Sequence, residues 1–400
     1  MNVLVFNCGS SSLKYRLIAM PEEREIASGE AQRVGPPTAE PSRIYHRVGG
    51  AQEVITVPMR DHSAAFDEVM KVLARDPGMR PEAIAHRLVH GGAIFSEPTV
   101  VDDAVYAKLE SVAHLAPIHN PPAMALLRAC RARNPELPEV CVFDTAFHAT
   151  IPEHARTYAL PKRVREDLGI RKYGFHGTSH QYVAEEAAKF LKKPLAELNA
   201  VSCHLGSGGS SLCAIVKGRS VDNTMGFSPL VGLVMSTRCG DLDPAVTLRL
   251  LAAARGDSGS VEKLLNRKSG VLGLSGASAD IRDVLAGKGG ASGERMDLTA
   301  QVYLWRMRKY LGAYLAVVGR PDAVIFTDTI GETVPAVRLS VSSGMEAFGI
   351  KIDPERNAHV TRTPCDVAAD DSLVRLLVIL TNEELAIARR TYQTLIARAA

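Results

Sequence analysis

The 400-residue sequence has almost no excess of charge of one sign, because 47 Lys and Arg face 44 Asp and Glu and leave a net charge of +3. A chain so close to neutrality has no overall field with which to hold a nucleic acid or an anionic membrane. Any anion that it binds must therefore be bound locally. Neither a nucleic acid nor a membrane is expected as a partner.

The cysteines lack a pairing pattern, and the chain lacks a long apolar run. Seven cysteines are scattered without a C-x-x-C pair, and their odd number argues against the disulfide framework of a secreted protein. Apolar runs such as Leu376 to Leu380 are too short to span a bilayer, and the N-terminus has no basic region or small-residue cleavage site. We therefore predict a soluble, cytoplasmic protein with reduced thiols.

What the chain does contain is a globular composition, 46% hydrophobic and 23% charged, at a length that normally makes two domains. Its 32 glycines are close to average usage, yet many of them are bunched with Ser, His or Asp. These bunches are where we expect the chemistry.

A strand, a Gly/Ser turn and a second strand are predicted twice. The first copy has Val3 to Phe6 followed by Gly9 to Ser12, and the second has Ala200 to His204 followed by Gly206 to Ser211. Repetition at about half the chain length predicts two related α/β halves, although Gly/Ser turns between strands also recur by chance.

Helical periodicity alternates with short apolar strands elsewhere, which is typical of an α/β class with a largely buried sheet. Two helix starts fit a capping box, one at Thr178 and Gln181 and the other at Thr381 and Glu384. The predicted helices are His62 to Ala74, Ala104 to His114, Pro122 to Ala132, Ser179 to Leu191, Pro244 to Ala254, Val261 to Asn266 and Leu298 to Val318.

Neither a P-loop G-x-x-x-x-G-K-[ST] nor a Rossmann G-x-G-x-x-G occurs. The first Gly/Ser loop can bring backbone N–H groups close to a phosphate, with Lys14 adding charge, but by itself it also fits an ordinary hairpin turn. The second loop, His204 to Ser210, is denser in glycine and better suited to cradle phosphate.

Two arginines stand in contexts that suit an anion. Arg87 follows an apolar stretch and precedes a Gly pair, where a guanidinium can clamp a carboxylate or phosphate; a surface salt bridge is the alternative. Arg238 offers the fixed charge that a phosphoryl-transfer site needs. Asp241 and Asp243 fit a metal or, for Asp243, the cap of the helix that starts at Pro244.

Three further segments place His or Asp in rigid Pro/Gly contexts, where functional loops usually lie. They are His114 to Pro122, Val142 to His148 and Tyr173 to His180. For each of them, a cap or a buried, satisfied histidine is the structural alternative.

Taken together and in this order, these segments resemble the acetate kinase (acetokinase) family, from Asn2 to about Arg389. The resemblance implies a duplicated actin-like/ribonuclease H-like two-domain α/β fold with an interdomain cleft. It also implies a homodimer. Because Ile151-Pro152 follows a predicted strand, we place the domain boundary there, with an N-terminal acyl kinase domain of residues 1–149 plus 382–400 and a nucleotide-binding domain of residues 150–381.

The resemblance also implies roles for individual residues. Arg87 and Arg238 match the arginines that bracket the acyl carboxylate and the phosphoryl group, and His176 matches the histidine that stabilises the transition state. His119 lies in a matching His-Asn-Pro-Pro motif. Asp144 matches the acid usually called essential, but acetate is already ionised at pH 7 and needs no base. We expect Asp144 to orient an Arg or a magnesium-bound water.

The remaining matches concern Mg²⁺, ATP or ADP, and the acyl group. Asn7 and Glu383 match the magnesium-associated positions. The nucleotide positions are Ser10, Ser12, Lys14, His204, Leu205, Gly206, Ser207, Gly208, Asp280, Ile281, Arg282, Thr329, Ile330, Gly331, Glu332 and Thr333. The apolar pocket for the acyl methyl group is Val89, Ile118, Phe175 and Pro229.

The sequence departs from the family pattern in the nucleotide half. Where the family has Phe-Thr-Gly-Gly-Ile-Gly-Glu-Asn, this chain has Asp328, Thr329 and Thr333 in place of two glycines and an asparagine, and Ser207 replaces an asparagine. These changes add bulk and a negative charge where the adenosine is expected.

Three hypotheses follow from these matches. The first is phosphoryl transfer from ATP to a small carboxylate, acetate being favoured and propionate allowed, because one methylene is worth only about 1–3 kcal/mol of discrimination. The second keeps this chemistry with another nucleotide or pyrophosphate as donor. The third is an inactive family member that acts as a binding protein.

Overall fold

A computed structural model describes residues 1–9, 11–36, 38–117, 119–287 and 293–399. Two of the predicted site residues, Ser10 and Ile118, lie outside the described residues. The strands are β1 (Asn2–Cys8), β2 (Ser12–Ala19), β3 (Arg24–Gln32), β4 (Arg43–Val48), β5 (Ala51–Thr56), β6 (Ala83–Leu88), β7 (Thr99–Val100), β8 (Glu139–Phe143), β9 (Ala200–Leu205), β10 (Ser210–Val216), β11 (Arg219–Asn223), β12 (Ala323–Thr327), β13 (Cys365–Asp366) and β14 (Arg375–Val378).

The helices account for most of the remaining regular structure, and within the described ranges none is long and apolar enough to cross a bilayer. They are α1 (His62–Leu73), α2 (Asp103–Val112), α3 (Asn120–Arg133), α4 (Glu153–Arg156), α5 (Lys162–Asp167), α6 (Gly177–Phe190), α7 (Pro244–Ala253), α8 (Ser258–Arg267), α9 (Gly270–Ser275), α10 (Ile281–Leu285), α11 (Gly293–Val318), α12 (Asp328–Thr333), α13 (Pro335–Ser342), α14 (Pro354–Ala358) and α15 (Glu383–Ala399).

The chain divides into two compact units. Unit 1 is Met1–Ala146 with Asn382–Ala400, and unit 2 is Phe147–Thr381. The sequence placed the first boundary between residues 149 and 150, whereas unit 1 ends at Ala146. The assignment of acyl chemistry to one unit and nucleotide binding to the other stays a prediction.

Unit 1 is built on an eight-stranded sheet of order β5-β4-β3-β2-β1-β6-β8-β7. The central strands β1, β6 and β8 run parallel. Strand β2 pairs antiparallel with β1, and β3 pairs antiparallel with β2. Because side chains alternate across a strand, Phe6 faces a core shared with α1 and α3, whereas Val5 faces Ile387 of α15. Two buried faces explain the continuous apolar runs of β1 and β8.

Unit 2 repeats this arrangement in a six-stranded sheet of order β11-β10-β9-β12-β14-β13. The β9-β10-β11 meander is antiparallel, β9, β12 and β14 are parallel, and the two-residue strand β13 pairs antiparallel at the edge as β7 does in unit 1. The predicted duplication of an α/β half is therefore confirmed by topology, and unit 1 adds the β4–β5 hairpin.

Both predicted capping boxes are wrong. Helix α15 begins at Glu383, and the Oδ1 of Asn382 accepts the N–H of Leu385 at 3.1 Å in place of Thr381. Helix α6 begins at Gly177, directly after His176, whose φ of 58° lies in the left-handed region. In contrast, Asp243 caps α7 as predicted, by accepting the N–H of Ala245 at 2.8 Å.

Arg338 is the largest fully buried side chain of unit 2 among the described residues, with an exposure of 0%. Its guanidinium donates to the carbonyl oxygens of Gly331 and Glu332 and to both oxygens of Asn357, all within 2.8 Å. Burial lowers the pKa of Arg338 to about 10. Arg338 thus satisfies the carbonyl groups near the end of α12 and ties that helix to α14.

Replacing Arg338 with Met should lower the free energy of unfolding by about 3 kcal/mol or more, because four buried acceptors would lose their donor. Urea unfolding followed by circular dichroism measures this loss. The matched change Arg320→Met, at an exposed position, should cost no more than about 0.5 kcal/mol. Equal losses in the two variants would show that Arg338 has no such role.

Candidate functional site

The carboxyl ends of the parallel strands of unit 1 collect polar side chains at one edge of the sheet. Asn7 lies near the end of β1, Arg87 near the end of β6, and Asp144 directly after β8. Adjacent parallel strands bring their ends together, so these three side chains meet. Glu383, the first residue of α15, joins them because this helix packs across β1, β6 and β8.

Arg87 is the centre of this cluster. Its Nη2 donates to Asp144 Oδ2 at 2.6 Å and its Nε to Asp144 Oδ1 at 3.1 Å, which makes a bidentate pair. Its Nη1 donates to Asn7 Oδ1 at 3.1 Å, and its Nε lies 3.5 Å from Glu383 Oε2. The arginine predicted to clamp an anion is therefore itself held by three neighbours.

The electrostatics of the cluster keep Arg87 charged. Burial on its own lowers the pKa of Arg87, but the charges of Asp144 and Glu383 outweigh it and raise the pKa above its ordinary value. The Asp144 side chain is 2% exposed, against 18% for Arg87. A carboxylate so deeply engaged with a guanidinium is placed to orient it.

Oxygen atoms of the kind that Mg²⁺ prefers are concentrated here, namely the Asn7 amide oxygen and the carboxylates of Asp144 and Glu383. With two carboxylates around one guanidinium, the formal charge of the cluster is negative. The donor set therefore fits a hydrated divalent cation. Among these residues, Glu383 can act as a ligand without breaking the pair between Arg87 and Asp144.

The first Gly/Ser loop lies beside Asn7. The residue paired with Asn7 across the β1–β2 hairpin is Lys14, which is exposed. The Ser12 hydroxyl stands 2.8 Å from the position that a Cβ would occupy on Gly9, so a side chain at Gly9 would collide with it. Ser12 and Lys14 share one face of β2, because side chains alternate along a strand.

The His-Asn-Pro-Pro motif has a clear structural component. His119 is exposed and precedes α3, whereas Asn120 is fully buried. Asn120 donates from Nδ2 to the His90 carbonyl at 2.9 Å and accepts the N–H of His90 at 3.3 Å. The Asn120 amide thus holds the segment that follows β6 and contains Val89. This role of Asn120 was not predicted from the sequence.

In unit 2, His176 lies between the β9–β10 hairpin and helix α6. Its Nδ1 lies 2.9 Å from Ser211 Oγ, and the same hydroxyl lies 2.8 Å from His180 Nε2. The ring centroid of His176 is 4.1 Å from that of His204. Burial and the neighbouring histidines hold the pKa of His180 well below its usual range, so His180 is a neutral support in this network.

The loop before His176 is held in place through the carbonyl group of Phe175. The Phe175 carbonyl oxygen lies 2.8 Å from His148 Nε2 and accepts from Asn223 Nδ2 at 3.2 Å. Gly174 must be glycine, because its φ is 74° and a Cβ would lie 2.7 Å from the His148 ring. The Phe175 side chain is buried.

Arg238 and His176 both lie beside Gly209. Arg238 Nη1 and His176 Nε2 each lie 3.4 Å from the position that a Cβ would take on Gly209. Arg238 Nη1 also donates to the Pro229 carbonyl at 3.1 Å. Burial lowers the pKa of Arg238, and no carboxylate of the described chain forms an ion pair with it. A guanidinium with this environment is available to an anion.

The predicted nucleotide segments converge on a narrow cleft beside the second loop. Its walls include Gly206, Ser207, Asp280, Ile281 and Ile330. The Asp280 carboxylate is engaged by Arg282, whose backbone N–H and Nε donate to it at 2.8 and 2.9 Å, and this contact lowers the pKa of Asp280. The Leu205 side chain, in contrast, lies in the core of unit 2, so only its backbone faces the loop.

Helix α12 carries Glu332, whose carboxylate binds the residues that follow β12 and β14. Glu332 Oε1 accepts the N–H groups of Asp328 at 2.7 Å and Thr381 at 2.9 Å, and the Thr327 hydroxyl at 3.3 Å. Burial raises the pKa of Glu332. Thr333 donates its hydroxyl to the Thr329 carbonyl at 2.6 Å. Glu332 therefore orders the ends of β12 and β14, and Gly331 is buried beside it.

Comparisons with known proteins identify the family of the chain. The model of the acetokinase family matches residues 2–389. The chain is 44% identical to an acetate kinase of Clostridium botulinum over 98% of each sequence. Its structure matches that of Porphyromonas gingivalis acetate kinase with a TM-score of 0.90 and 36% identity, covering 98% of this chain and 99% of the other. A propionate kinase from Francisella tularensis matches with a TM-score of 0.89 and 34% identity, covering 97% and 98%.

The chain belongs to the acetokinase family. The resemblance drawn from its motifs is thereby confirmed, and with it the duplicated actin-like fold of the family. Acetokinase family members are phosphotransferases that act on a carboxyl acceptor. The individual residue roles remain predictions for this member.

The supports of this acetokinase site were largely missed from the sequence. His148, His180, Ser211 and Asn223 hold His176 or its loop, and the first three stood in segments that had been singled out, although without this supporting role. Ser211 belongs to the repeated Gly-Ser-Ser-Leu, whose second serine had no assigned contact. Nothing in the local pattern marks Asn223, since it acts across more than forty residues.

Removing the Glu332 acceptor should destabilise the protein. Glu332→Ala leaves two N–H groups and a hydroxyl without their acceptor, and we expect a loss of about 2–3 kcal/mol in the free energy of unfolding by urea titration. Glu332→Gln keeps one acceptor oxygen and should lose about half as much. Glu262→Ala, at an exposed position of α8, is the control and should change little. Equal stability of Glu332→Ala and the control would contradict this role.

Proposed function

We propose that this chain catalyses reversible, Mg²⁺-dependent phosphoryl transfer from ATP to acetate, giving acetyl phosphate and ADP. The observation that carries the proposal is the pairing of Arg238 and His176 at Gly209, both 3.4 Å from one point. Membership of the acetokinase family along residues 2–389 supports it. A guanidinium and an imidazole beside the same glycine suit the oxygens of a transferring phosphoryl group.

In the forward direction, an acetate oxygen attacks the γ-phosphorus of ATP. A bond forms between that oxygen and phosphorus, the bond from phosphorus to the β-phosphate oxygen breaks, and ADP leaves. Acetate is ionised at pH 7, so no proton has to be removed from it. The protein therefore has to overcome repulsion between two anions, not to activate a nucleophile.

Arg87 is proposed to orient the acyl carboxylate, with Asp144 as its positioning residue. Because Asp144 holds Nε and Nη2 of Arg87, the planar guanidinium has one fixed direction. Asn7 fixes Nη1 in the same way. A cation held so firmly loses little freedom when an anion binds.

Arg238 and His176 are proposed to stabilise the charge on the phosphoryl oxygens, with the second Gly/Ser loop holding the rest of the donor. Ser211 fixes the ring orientation of His176 through Nδ1 and leaves Nε2 directed toward Gly209. Mg²⁺, proposed to be held by Glu383 and Asn7, supplies charge neutralisation for the phosphates when bound. Ser12 and Lys14 are proposed to contact the phosphates, and Val89, Ile118, Phe175 and Pro229 the acyl methyl group.

We further propose, from the family, that the protein acts as a cytoplasmic homodimer. Light scattering after size exclusion tests the oligomeric state, with a mass near 86 kDa expected from two 43.0 kDa chains.

Arg238→Ala should reduce turnover about 10²- to 10³-fold, because it removes a fixed charge that acts on the transition state. Trapping acyl phosphate with hydroxylamine in the presence of acetate, MgATP and enzyme measures it. Arg320→Ala, which removes an exposed cation of the same unit, should retain full turnover. Unchanged turnover of Arg238→Ala would contradict the role of Arg238.

A matrix of donors and acids tests the whole proposal. We expect MgATP with acetate to give the highest kcat/KM among ATP, GTP and pyrophosphate, each combined with acetate and propionate. A higher kcat/KM with GTP or pyrophosphate would favour the alternative donor, and a higher value with propionate the alternative acid. No acyl phosphate in any combination would leave an inactive binding protein and overturn the proposal.

A further inference from the structure

Asp328, in unit 2, has an unusual backbone conformation. It follows β12 directly and has a φ of 62°, in the left-handed region that non-glycine residues rarely adopt. Its N–H is bound by Glu332 at 2.7 Å, so this conformation is held in place. Among side chains, those of aspartate and asparagine tolerate this region best, so Asp328 can occupy a position that otherwise favours glycine.

The Asp328 carboxylate reaches the second Gly/Ser loop. Its Oδ2 lies 3.1 Å from His204 Nε2 and abuts the position that a Cβ would take on Gly206. Its Oδ1 accepts the N–H of Thr329 at 2.6 Å and the Thr329 hydroxyl at 3.0 Å. Gly206 lacks the side chain that would exclude the carboxylate, so the two residues fit together.

The carboxylate is charged at neutral pH. Burial alone raises the pKa of Asp328, but its contacts with His204 and Thr329 outweigh burial and hold the pKa well below the usual range. A full negative charge therefore rests against the loop that leads to Gly209, where Arg238 and His176 meet.

This contact also occupies His204. The Nδ1 of His204 lies 2.8 Å from Ser179 Oγ, and Nε2 is taken by Asp328. Only 6% of the His204 side chain is exposed. Because both ring nitrogens are engaged, His204 can donate to an incoming phosphate only if its contact with Asp328 is broken.

We propose that Asp328 is an internal anion that weakens donor binding at the phosphate loop and so determines how tightly this chain holds its phosphoryl donor. It competes with a donor phosphate oxygen for the Nε2–H of His204, and its charge repels the phosphates. The inference rests on the proposed function, in which this loop binds the donor. At the effective dielectric constant of a partly exposed site, one such charge changes affinity by about three- to tenfold.

The test is direct titration of ADP and of pyrophosphate, each with Mg²⁺, into the full-length protein by calorimetry. Asp328→Asn keeps an oxygen for the Thr329 N–H and a residue suited to the left-handed backbone, but it removes the charge. Asp328→Gly removes the whole side chain and relieves the backbone. We expect both variants to bind ADP and pyrophosphate about three- to tenfold more tightly, with the KM for acetate unchanged.

Salt and a control variant separate charge from general effects. The gain of Asp328→Asn should shrink as the ionic strength is raised to about 0.5 M, because salt screens the repulsion. Asp371→Asn removes an exposed charge elsewhere in unit 2 and should leave both Kd values unchanged. Unchanged or weaker binding of both ligands by both Asp328 variants would overturn the inference.

The inference and the proposed function fail differently. A wild-type protein that forms acyl phosphate from acetate, while the Asp328 variants show no tighter binding, would overturn only the role of Asp328. A wild-type protein without any acyl phosphate formation would overturn the proposed function, whereas the titrations would still show whether Asp328 opposes polyphosphate binding.

Discussion

The bidentate pair between Arg87 and Asp144 is the interaction on which the account of unit 1 depends. It exists because β6 and β8 are adjacent parallel strands whose carboxyl ends deliver one residue each to the same edge. A guanidinium that must bind a small carboxylate needs a fixed direction, and a buried carboxylate beside it supplies that direction at both nitrogens. Under the proposed function, the acid at position 144 acts by orienting Arg87 and transfers no proton, because acetate is already ionised at pH 7.

Unit 2 also positions an arginine, but without an acidic partner among the described residues. There, Arg238 and His176 both approach Gly209, and the His176 ring is oriented by Ser211. The same fold pattern therefore carries an arginine held by acids in one unit and an arginine without an ion-pair partner among the described residues in the other. This difference suits an arginine that orients a substrate in one case and an arginine that meets developing charge in the other.

Much of this organisation was predictable from the sequence, because strand ends followed by Gly, Ser, His or Asp are visible as local patterns. The repeated hairpin, the α/β class, Arg87 and Asp144 were found in that way. His176 stood out by its Gly context and Arg238 by its charge, and the family resemblance supplied the roles of all four. The supports were not predictable. Asn120 and Asn223 act on carbonyl groups that are distant in sequence, and Asn382 replaced Thr381 as a cap because backbone geometry decides between two adjacent polar residues. Asp328 was recognised as a departure, but its contact with His204 required the structure.

The most direct test of the central claim is a double-mutant cycle on kcat/KM for acetate with Asp144→Asn and Arg87→Lys. If Asp144 acts by holding Arg87, the double variant should be little worse than Arg87→Lys alone, since there is then no guanidinium left to orient. Losses that simply multiply, with Asp144→Asn costing as much in the Arg87→Lys background as in the wild-type protein, would show that Asp144 acts independently and would contradict the account.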